Sequence, residues 1–231
     1  MIKVVFIDID NTLLSFSGYV KEAMRDGFCY YGLKPYNEDM FPVFERINNS
    51  LWRQVEQGTL TFEELIKCRW NLILRALDID FDGEEFESYF RKKLFNNAVP
   101  EEGAIDLLKY LSGKYLVCAA SNGPYEQQVN RLRVGNMIDY FTHCFISSKV
   151  GAQKPSRQFF EYCFDVLRKN NYPDLLPDEA IMIGDSVTSD IKGGLDYGMH
   201  TCFYKKHKKS EITDSGAEYE VDSLSEIKNN L

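Results

Sequence analysis

Short apolar runs recur along the chain and predict the strands of a sheet. Residues 4–7, Val-Val-Phe-Ile, form a continuous apolar run, which is typical of a strand covered on both of its faces. From residue 99 onward, similar runs alternate with segments of helical spacing, and this alternation predicts parallel βα units. The other predicted strands lie at residues 115–120, 141–147, 180–184, 201–204 and 218–221.

The segment between the first two strands carries no strand pattern. Its apolar residues recur at helical spacing from residue 16 to about residue 97, and Thr61 with Glu64 forms the pattern of a capping box. We therefore predict a core domain of residues 1–15 and 99–231, with a helical cap of residues 16–98 inserted into it. A helical insertion at the mouth of a site is typical of a lid.

Composition and charge narrow the class of protein. Of the 231 residues 44% are hydrophobic, which suits a sizeable core, and the net charge of −8 argues against a nucleic-acid partner. No apolar run is long enough to cross a bilayer, and the apolar start is too short for a signal peptide. The six cysteines occur singly, without the pairs that bind zinc. We therefore expect a cytoplasmic protein with reduced thiols and no membrane partner.

Two carboxylates, Asp8 and Asp10, follow the first strand directly. Carboxylates this close repel each other unless a cation lies between them. One interpretation is a Mg²⁺ site with a carboxylate nucleophile, and the other is an acidic turn after an ordinary strand. The first strand taken alone favours neither of them.

Polar residues follow the later strands as well, and in a parallel sheet those strand ends share one edge. A carboxylate there can attack phosphorus, and a divalent cation can neutralise phosphate charge. A lysine and hydroxyl or amide donors can stabilise the equatorial oxygens, while a second carboxylate carries the proton. This combination indicates phosphoryl transfer. The residues expected to converge are Asp8, Asp10, Ser121, Asn122, Lys154, Asp185 and Asp190.

Each of these later positions also has an ordinary explanation. Ser121-Asn-Gly is a common turn sequence, and Lys154 before a proline is compatible with a surface lysine preceding a helix. Asp185 could be a helix N-cap, and Asp190 could occupy the first turn of a helix. Each explanation is reasonable by itself. The occurrence of all these residues at successive strand ends nevertheless favours the catalytic interpretation.

Four motifs along the chain resemble those of the haloacid dehalogenase-like hydrolases. They are Asp8-Ile-Asp10-Asn-Thr12, Ser121 at the end of the second strand, Lys154-Pro155, and Gly184-Asp185-Ser186-Val-Thr-Ser-Asp190. They occur in the family's order, with a helical insertion where the family carries its C1 cap. The resemblance implies an α/β fold, a Rossmann-like doubly wound parallel sheet with an inserted helical-bundle cap.

The resemblance also implies a role for each motif residue. Asp8 is expected to be the nucleophile and a Mg²⁺ ligand, and Asp10 the acid and base that binds the metal through its carbonyl oxygen. Ser121 and the backbone at Asn122 are expected to hold the phosphoryl oxygens. The remaining roles are charge neutralisation by Lys154, metal binding by Asp185, and support of the site by Thr12 and Asp190.

Asp10 and several weaker patterns narrow the expected substrate. The dehalogenating branch of the family lacks the second aspartate of the first motif, so its presence here favours phosphate monoesters. Further stretches resemble the bacterial pyrimidine 5′-nucleotidases. These stretches include Leu51-Trp52, Gln128-x-x-Arg131-Leu132, Asp139-Tyr-Phe141, Ile146-Ser-Ser-x-x-Val150-Gly151 and Asp190-Ile-x-Gly-Gly194.

Three functions stay open at this point. The first is a Mg²⁺-dependent 5′-nucleotidase that works through an aspartyl phosphate. The second is a sugar-phosphate phosphatase or phosphomutase, and the third is a catalytically silent binding protein on the same fold. The intact Asp8, Asp10, Lys154 and Asp185 argue against the third. In the cap, Phe16, Tyr19 and Trp52 are candidates for stacking on a base, although packing in the bundle core is their more ordinary role.

Overall fold

The computed structural model describes residues 1–170, 172–206, 214–229 and 231, and it separates the chain into two units. The first unit comprises Met1–Ser15 and Ala98–Leu231, and the second comprises Phe16–Asn97. The second unit begins directly after the tight turn that follows the first strand. Each unit has a hydrophobic core of its own.

A parallel sheet organises the first unit. Its strands follow the order β3-β2-β1-β4-β5-β6, so β1 and β4 are its central neighbours. This is the strand order of the Rossmann fold, and the prediction of a doubly wound parallel sheet is confirmed. The strands are β1 (Val4–Ile7), β2 (Leu116–Ser121), β3 (His143–Ile146), β4 (Ala180–Gly184), β5 (His200–Tyr204) and β6 (Tyr219–Val221).

Strand β1 is apolar throughout because helices cover both faces of the sheet. Val5 and Ile7 pack in one core cluster with the helix α5 (Ala104–Ser112), whereas Val4 and Phe6 pack in the other with the helix α8 (Arg157–Asn170). All four strand residues are fully buried. The helices of this unit are α5 (Ala104–Ser112), α6 (Tyr125–Val134), α7 (Ser147–Val150), α8 (Arg157–Asn170) and α9 (Lys192–Tyr197), with a π-helical turn at Val187–Ile191 and 3₁₀ turns at Ile138–Tyr140, Pro177–Glu179 and Leu224–Asn229.

Four helices form the second unit around an aromatic core. Thr61 caps the helix α3 (Phe62–Ala76) with the predicted capping box, in which Glu64 N donates to Thr61 Oγ1 at 3.2 Å and Thr61 N donates to Glu64 Oε2 at 2.9 Å. No helix in the described part of the chain combines the length and apolarity needed to cross a membrane. The four helices are α1 (Phe16–Tyr30), α2 (Met40–Glu56), α3 (Phe62–Ala76) and α4 (Gly83–Phe95).

The three aromatic residues singled out in this unit pack against other aromatic rings. Tyr19 is 2% exposed, and its hydroxyl donates to the carbonyl oxygen of Phe90, so it belongs to the core of the unit. Phe16 lies against the ring of Phe90, with a separation of 6.3 Å between the two ring centroids. The centroid of Trp52 lies 5.9 Å from that of Phe62. Packing within the bundle accounts for the placement of all three.

A buried ion pair crosses the core of the second unit. Arg69 Nε and Nη2 donate to the two carboxylate oxygens of Glu87 at 3.0 and 2.6 Å, and Nη1 donates to Asn48 Oδ1 at 3.2 Å. The two side chains are only 5% and 6% exposed. Removing one partner of such a pair leaves the other charge buried and uncompensated.

Replacing Arg69 with methionine is therefore expected to destabilise the helical unit by about 3–5 kcal/mol. Because both tryptophans, Trp52 and Trp70, belong to this unit, urea unfolding followed by tryptophan fluorescence measures its stability selectively. An additional Glu87→Leu substitution should recover most of the loss, since the orphaned carboxylate is then gone. The exposed Arg46 of α2 provides the matched control, and Arg46→Met should change the stability by less than about 0.5 kcal/mol. A loss below 1 kcal/mol in Arg69→Met would contradict the argument.

Candidate active site

The turn after β1 places the first motif at the carboxyl edge of the sheet. Asp8 N donates to the carbonyl oxygen of Ile183 at 2.9 Å, which extends the pairing with β4 by one residue. The chain then reverses as Leu13 N and Leu14 N both donate to the Ile9 carbonyl oxygen at 2.9 and 2.8 Å. This reversal requires a positive φ of 57° at Asn11, and asparagine is among the few residue types that tolerate it.

Lys154 lies at the centre of the site. Its Nζ donates to Asp8 Oδ1 at 2.8 Å, to Asp190 Oδ1 at 2.6 Å and to the carbonyl oxygen of Ala120 at 2.5 Å. The Lys154 and Asp190 side chains are each 1% exposed, and that of Asp8 is 10% exposed. All three donors of the ammonium group are therefore used, and its position is fixed from three directions.

The side chain of Asn122 secures the backbone that carries Lys154. Asn122 Nδ2 donates to the Lys154 carbonyl oxygen at 2.8 Å, and Lys154 N donates to Asn122 Oδ1 at 2.9 Å. The next residue is held separately, because Gly123 N donates to Ser147 Oγ at 3.0 Å. The loop after β2 is thus joined at two points to the segment that follows β3.

Asp190 is positioned by the turn that follows β4. Its Oδ2 accepts from Ser186 N at 3.0 Å, while its Oδ1 accepts from Lys154. A Cβ atom on Gly184 would lie only 2.1 Å from Asp190 Oδ2, so no residue other than glycine fits there without displacing this carboxylate. The position of Asp190 therefore requires glycine at position 184, the last residue of β4.

Three carboxylates lie close enough together to hold a metal ion. Ligand atoms of Asp8, Asp185 and Asp190 lie within 4.8 Å of one another, and all three residues are buried. With the ammonium group of Lys154 the cluster carries a formal charge of −2, because three carboxylates face one cation. Oxygen donors and this excess charge fit Mg²⁺, and Asp190 already accepts hydrogen bonds on both oxygens.

Burial and the neighbouring charges shift the pKa values of the central pair. Burial raises the pKa of the Asp8 carboxyl well above its ordinary value; Lys154 opposes that rise, and Asp190 and Asp185 add to it. Burial acts to lower the pKa of Lys154, but the carboxylates of Asp190 and Asp8 outweigh it and the pKa is raised. The lysine therefore stays charged at neutral pH, and a bound cation would favour the ionised form of Asp8.

The carboxylate of Asp10 is not one of these three clustered groups, and it accepts hydrogen bonds from two residues of α6. Arg131 Nη1 donates to Asp10 Oδ1 at 2.6 Å, and Gln128 Nε2 donates to Asp10 Oδ2 at 2.7 Å. Gln128 Nε2 also donates to Ser121 Oγ at 2.8 Å. Thr12 is fully buried, and its hydroxyl has no hydrogen-bond partner among the residues described. The four family motifs do not include Gln128 or Arg131; the available signal was the Gln128-x-x-Arg131 stretch, whose spacing places both residues on one face of a helix.

A family model for the haloacid dehalogenase-like hydrolases matches residues 2–198 of the chain. The chain belongs to this family. The expected resemblance is thereby confirmed, as is the prediction of a hydrolase. Because the match includes all four motifs, from Asp8 to Asp190, the converging strand ends of this haloacid dehalogenase-like hydrolase are its candidate active site.

Individual members of the family resemble the chain over nearly its whole length. HAD-hydrolase YfnB of Bacillus subtilis is 30% identical, covering 97% of this chain and 93% of the relative. A magnesium-bound crystal structure of YfnB superimposes with a TM-score of 0.88, covering 100% of this chain and 98% of that one. Pyrimidine 5′-nucleotidase PynA of Streptococcus pneumoniae is 28% identical over 97% of this chain and 93% of its own. Pyrimidine 5′-nucleotidase YjjG of Escherichia coli is also 28% identical, with 96% and 95% covered.

Proposed function

We propose that this haloacid dehalogenase-like hydrolase is a Mg²⁺-dependent phosphomonoesterase that forms an aspartyl phosphate on Asp8. The observation that carries the proposal is the buried Asp8–Lys154 pair beside Asp185, at the carboxyl ends of β1 and β4. A carboxylate held by a fixed cation at this edge of a parallel sheet is suited to in-line attack on phosphorus. Pyrimidine nucleoside 5′-monophosphates are the substrates we propose.

The first half of the reaction is assigned to Asp8 and Lys154. Asp8 attacks the phosphorus atom, so that a bond forms to its carboxylate oxygen while the bond to the ester oxygen breaks. Lys154 compensates charge on the phosphoryl group, because its three hydrogen bonds keep the ammonium beside Asp8 throughout. Ser121 and the backbone at Asn122 hold the phosphoryl oxygens.

Asp10 carries the proton in both halves of the reaction. It protonates the departing ester oxygen and later removes a proton from the water that hydrolyses the aspartyl phosphate. Thr12 and Asp190 support the site, Asp190 by holding Lys154 and the amide of Ser186 together.

The cofactor assigned to the site is Mg²⁺, held by the side chains of Asp8 and Asp185 and by the carbonyl oxygen of Asp10. Bound there, the cation would neutralise phosphate charge during attack. The formal charge of −2 on the buried cluster supports this assignment, as does the magnesium bound to the related YfnB.

The proposed substrate class rests on the nucleotidase relatives and on the helical unit. PynA and YjjG are both pyrimidine 5′-nucleotidases and match nearly the whole of this chain. We assign the helical unit the role of a cap that selects the ester, because it is inserted directly after the Asp8–Thr12 motif. Sugar phosphates, as substrates of a phosphatase or a phosphomutase, are the alternative.

Purified enzyme is expected to release inorganic phosphate from p-nitrophenyl phosphate with Mg²⁺, and to lose this activity with EDTA. Among natural esters, pyrimidine nucleoside 5′-monophosphates should give a kcat/KM at least about tenfold above that of sugar phosphates. The measurement is a phosphate-release panel at one pH and one Mg²⁺ concentration.

Each result of that panel has a distinct meaning. Metal-independent turnover would contradict the metal assignment, and turnover no greater than that of Asp8→Asn would remove the enzymatic proposal altogether. Equal or better kcat/KM on sugar phosphates would overturn the nucleotidase assignment while leaving the phosphatase assignment intact. Isomerised sugar in place of free phosphate would identify a phosphomutase.

A further inference from the structure

Two fully buried polar side chains on α6 donate hydrogen bonds to the two oxygens of the Asp10 carboxylate. Arg131 Nη1 donates to Oδ1 at 2.6 Å and Gln128 Nε2 donates to Oδ2 at 2.7 Å. Gln128 is 1% exposed and Arg131 is 0% exposed, whereas the Asp10 side chain is 31% exposed. The two donors are thus buried, whereas the carboxylate that they hold is partly exposed.

The two residues also fix each other. They are three positions apart on α6 and therefore lie on one face of the helix. Arg131 Nη1 donates to Gln128 Oε1 at 2.9 Å, which settles the orientation of the amide. Gln128 Nε2 can then reach Asp10 and Ser121 Oγ at the same time.

Core packing does not account for this pair. The same helix buries the apolar residues Val129 and Leu132, and Leu132 belongs to the core cluster on one face of the sheet. Burying an arginine and a glutamine beside them incurs a desolvation cost that only specific hydrogen bonds offset. Each of the two side chains donates one such bond to the carboxylate of Asp10.

We propose that Gln128 and Arg131 are positioning residues that fix the plane of the Asp10 carboxylate for proton transfer, and that Gln128 ties this plane to the phosphate-binding hydroxyl of Ser121. The inference rests on the proposed phosphatase function. A planar guanidinium and an amide that approach different oxygens allow the carboxylate one orientation. Without them, a partly exposed aspartate samples several rotamers, and a misplacement of about 1 Å can lower the rate by about 10²-fold.

The dependence of rate on the leaving group tests this role. Phenyl phosphate has a poor leaving group and needs a proton donor for the ester bond to break, whereas 2,4-dinitrophenyl phosphate needs almost none. For Arg131→Met we expect kcat/KM to fall about 100-fold on phenyl phosphate and less than about threefold on the dinitrophenyl ester. Asp10→Asn should show the same selectivity, with a larger loss on phenyl phosphate.

The dinitrophenyl ester also separates kcat from KM. Its kcat/KM reports formation of the aspartyl phosphate, while kcat includes hydrolysis, for which Asp10 must remove a proton from water. In Arg131→Met, kcat and KM on this ester should therefore both fall by about tenfold or more. A burst of dinitrophenolate should precede the slower steady-state turnover. A residue that only maintained the fold would not produce this pattern.

Three further variants test whether a loss of activity comes from the loss of folded structure. Gln128→Met should reproduce the selectivity for the dinitrophenyl ester, and Arg131→Lys should recover part of the phenyl phosphate activity because it keeps a cation beside Asp10. Arg133→Met alters an exposed arginine on the same helix and should leave both esters unaffected. Thermal midpoints, measured for every variant, identify any that fail to fold.

The outcomes separate the two proposals. Equal fractional losses on both esters in folded Arg131→Met and Gln128→Met, or no loss on either, would overturn the positioning role alone. A wild-type enzyme that releases no phosphate from either ester with Mg²⁺ would overturn the proposed function and, with it, this inference. Selective loss on phenyl phosphate together with a burst on the dinitrophenyl ester supports both.

Discussion

Replacing Asp8 with asparagine is expected to lower kcat for phosphate release by about 10⁴-fold or more, because an amide oxygen is a far weaker nucleophile than a carboxylate. The folded structure should nevertheless persist. Asp8 is one of three buried carboxylates that share a single lysine, so its neutralisation relieves repulsion with Asp185 and Asp190. In EDTA, the thermal midpoint of Asp8→Asn should therefore equal or exceed that of the wild type.

A second readout of Asp8→Asn concerns the metal. Mg²⁺ should raise the thermal midpoint of the wild type, and it should raise that of Asp8→Asn by less, because one ligand is missing. Asp165→Asn, at an exposed position of α8, is the matched control and should keep wild-type activity and the full response to Mg²⁺. Retention of more than a tenth of wild-type kcat by Asp8→Asn would exclude Asp8 as the nucleophile.

Replacing Lys154 with methionine is expected to remove both activity and stability. The substitution leaves Asp8 and Asp190 without the cation that they share, and breaking such a buried pair costs about 3–5 kcal/mol. We expect kcat to fall by at least about 10³-fold, because the phosphoryl group loses its fixed counter-charge. Urea unfolding followed by far-UV circular dichroism, together with phosphate release, measures the two effects.

A double substitution separates the stability effect from the catalytic one. Lys154→Met with Asp190→Asn removes one of the orphaned carboxylates, so part of the lost stability should return while activity stays absent. Lys169→Met, an exposed lysine of α8, is the matched control and should behave as wild type. Recovery of activity in the double variant would show that Lys154 only balances the charge of Asp190.

The fold was predictable because the sheet is covered on both faces. Val4–Ile7 can be apolar at every position only where helices pack on both sides, and β4 likewise follows its apolar run from Ala180 to Gly184. Element ends were harder to place. The predicted strand at 141–147 is shortened to β3, because a 3₁₀ turn precedes it and Ser147 already begins α7.

The motif residues of the site could be identified for a related reason. The carboxyl ends of parallel strands meet at one edge whatever the lengths of the intervening segments, so Asp8, Ser121 and Asp185 had to come together. The roles assigned to them remain predictions, and the substitutions described above test those of Asp8, Asp10 and Lys154.

The supporting contacts could not be predicted, because they depend on how helices and loops are rotated in space. Gln128 and Arg131 flank the apolar stripe of α6, and a small rotation of that helix would have exposed them. For Asn122, the sequence predicts a turn, and the family resemblance implies a backbone that holds phosphoryl oxygens. The structure adds a side chain that pairs with both backbone groups of Lys154.

That pairing has a consequence for the chemical ageing of the protein. Asn122-Gly123 is the type of sequence that deamidates readily, by attack of the glycine nitrogen on the asparagine side-chain carbon. Here Gly123 N donates to Ser147 Oγ, and the side-chain nitrogen and oxygen of Asn122 are both hydrogen-bonded to the backbone of Lys154. The folded chain therefore resists this attack. Deamidation at Asn122 should then occur only in molecules in which these hydrogen bonds are transiently broken. The fraction of deamidated protein would therefore report how often this loop opens. The resulting carboxylate could no longer donate to the Lys154 carbonyl oxygen, so each such event would permanently weaken the anchor of the lysine.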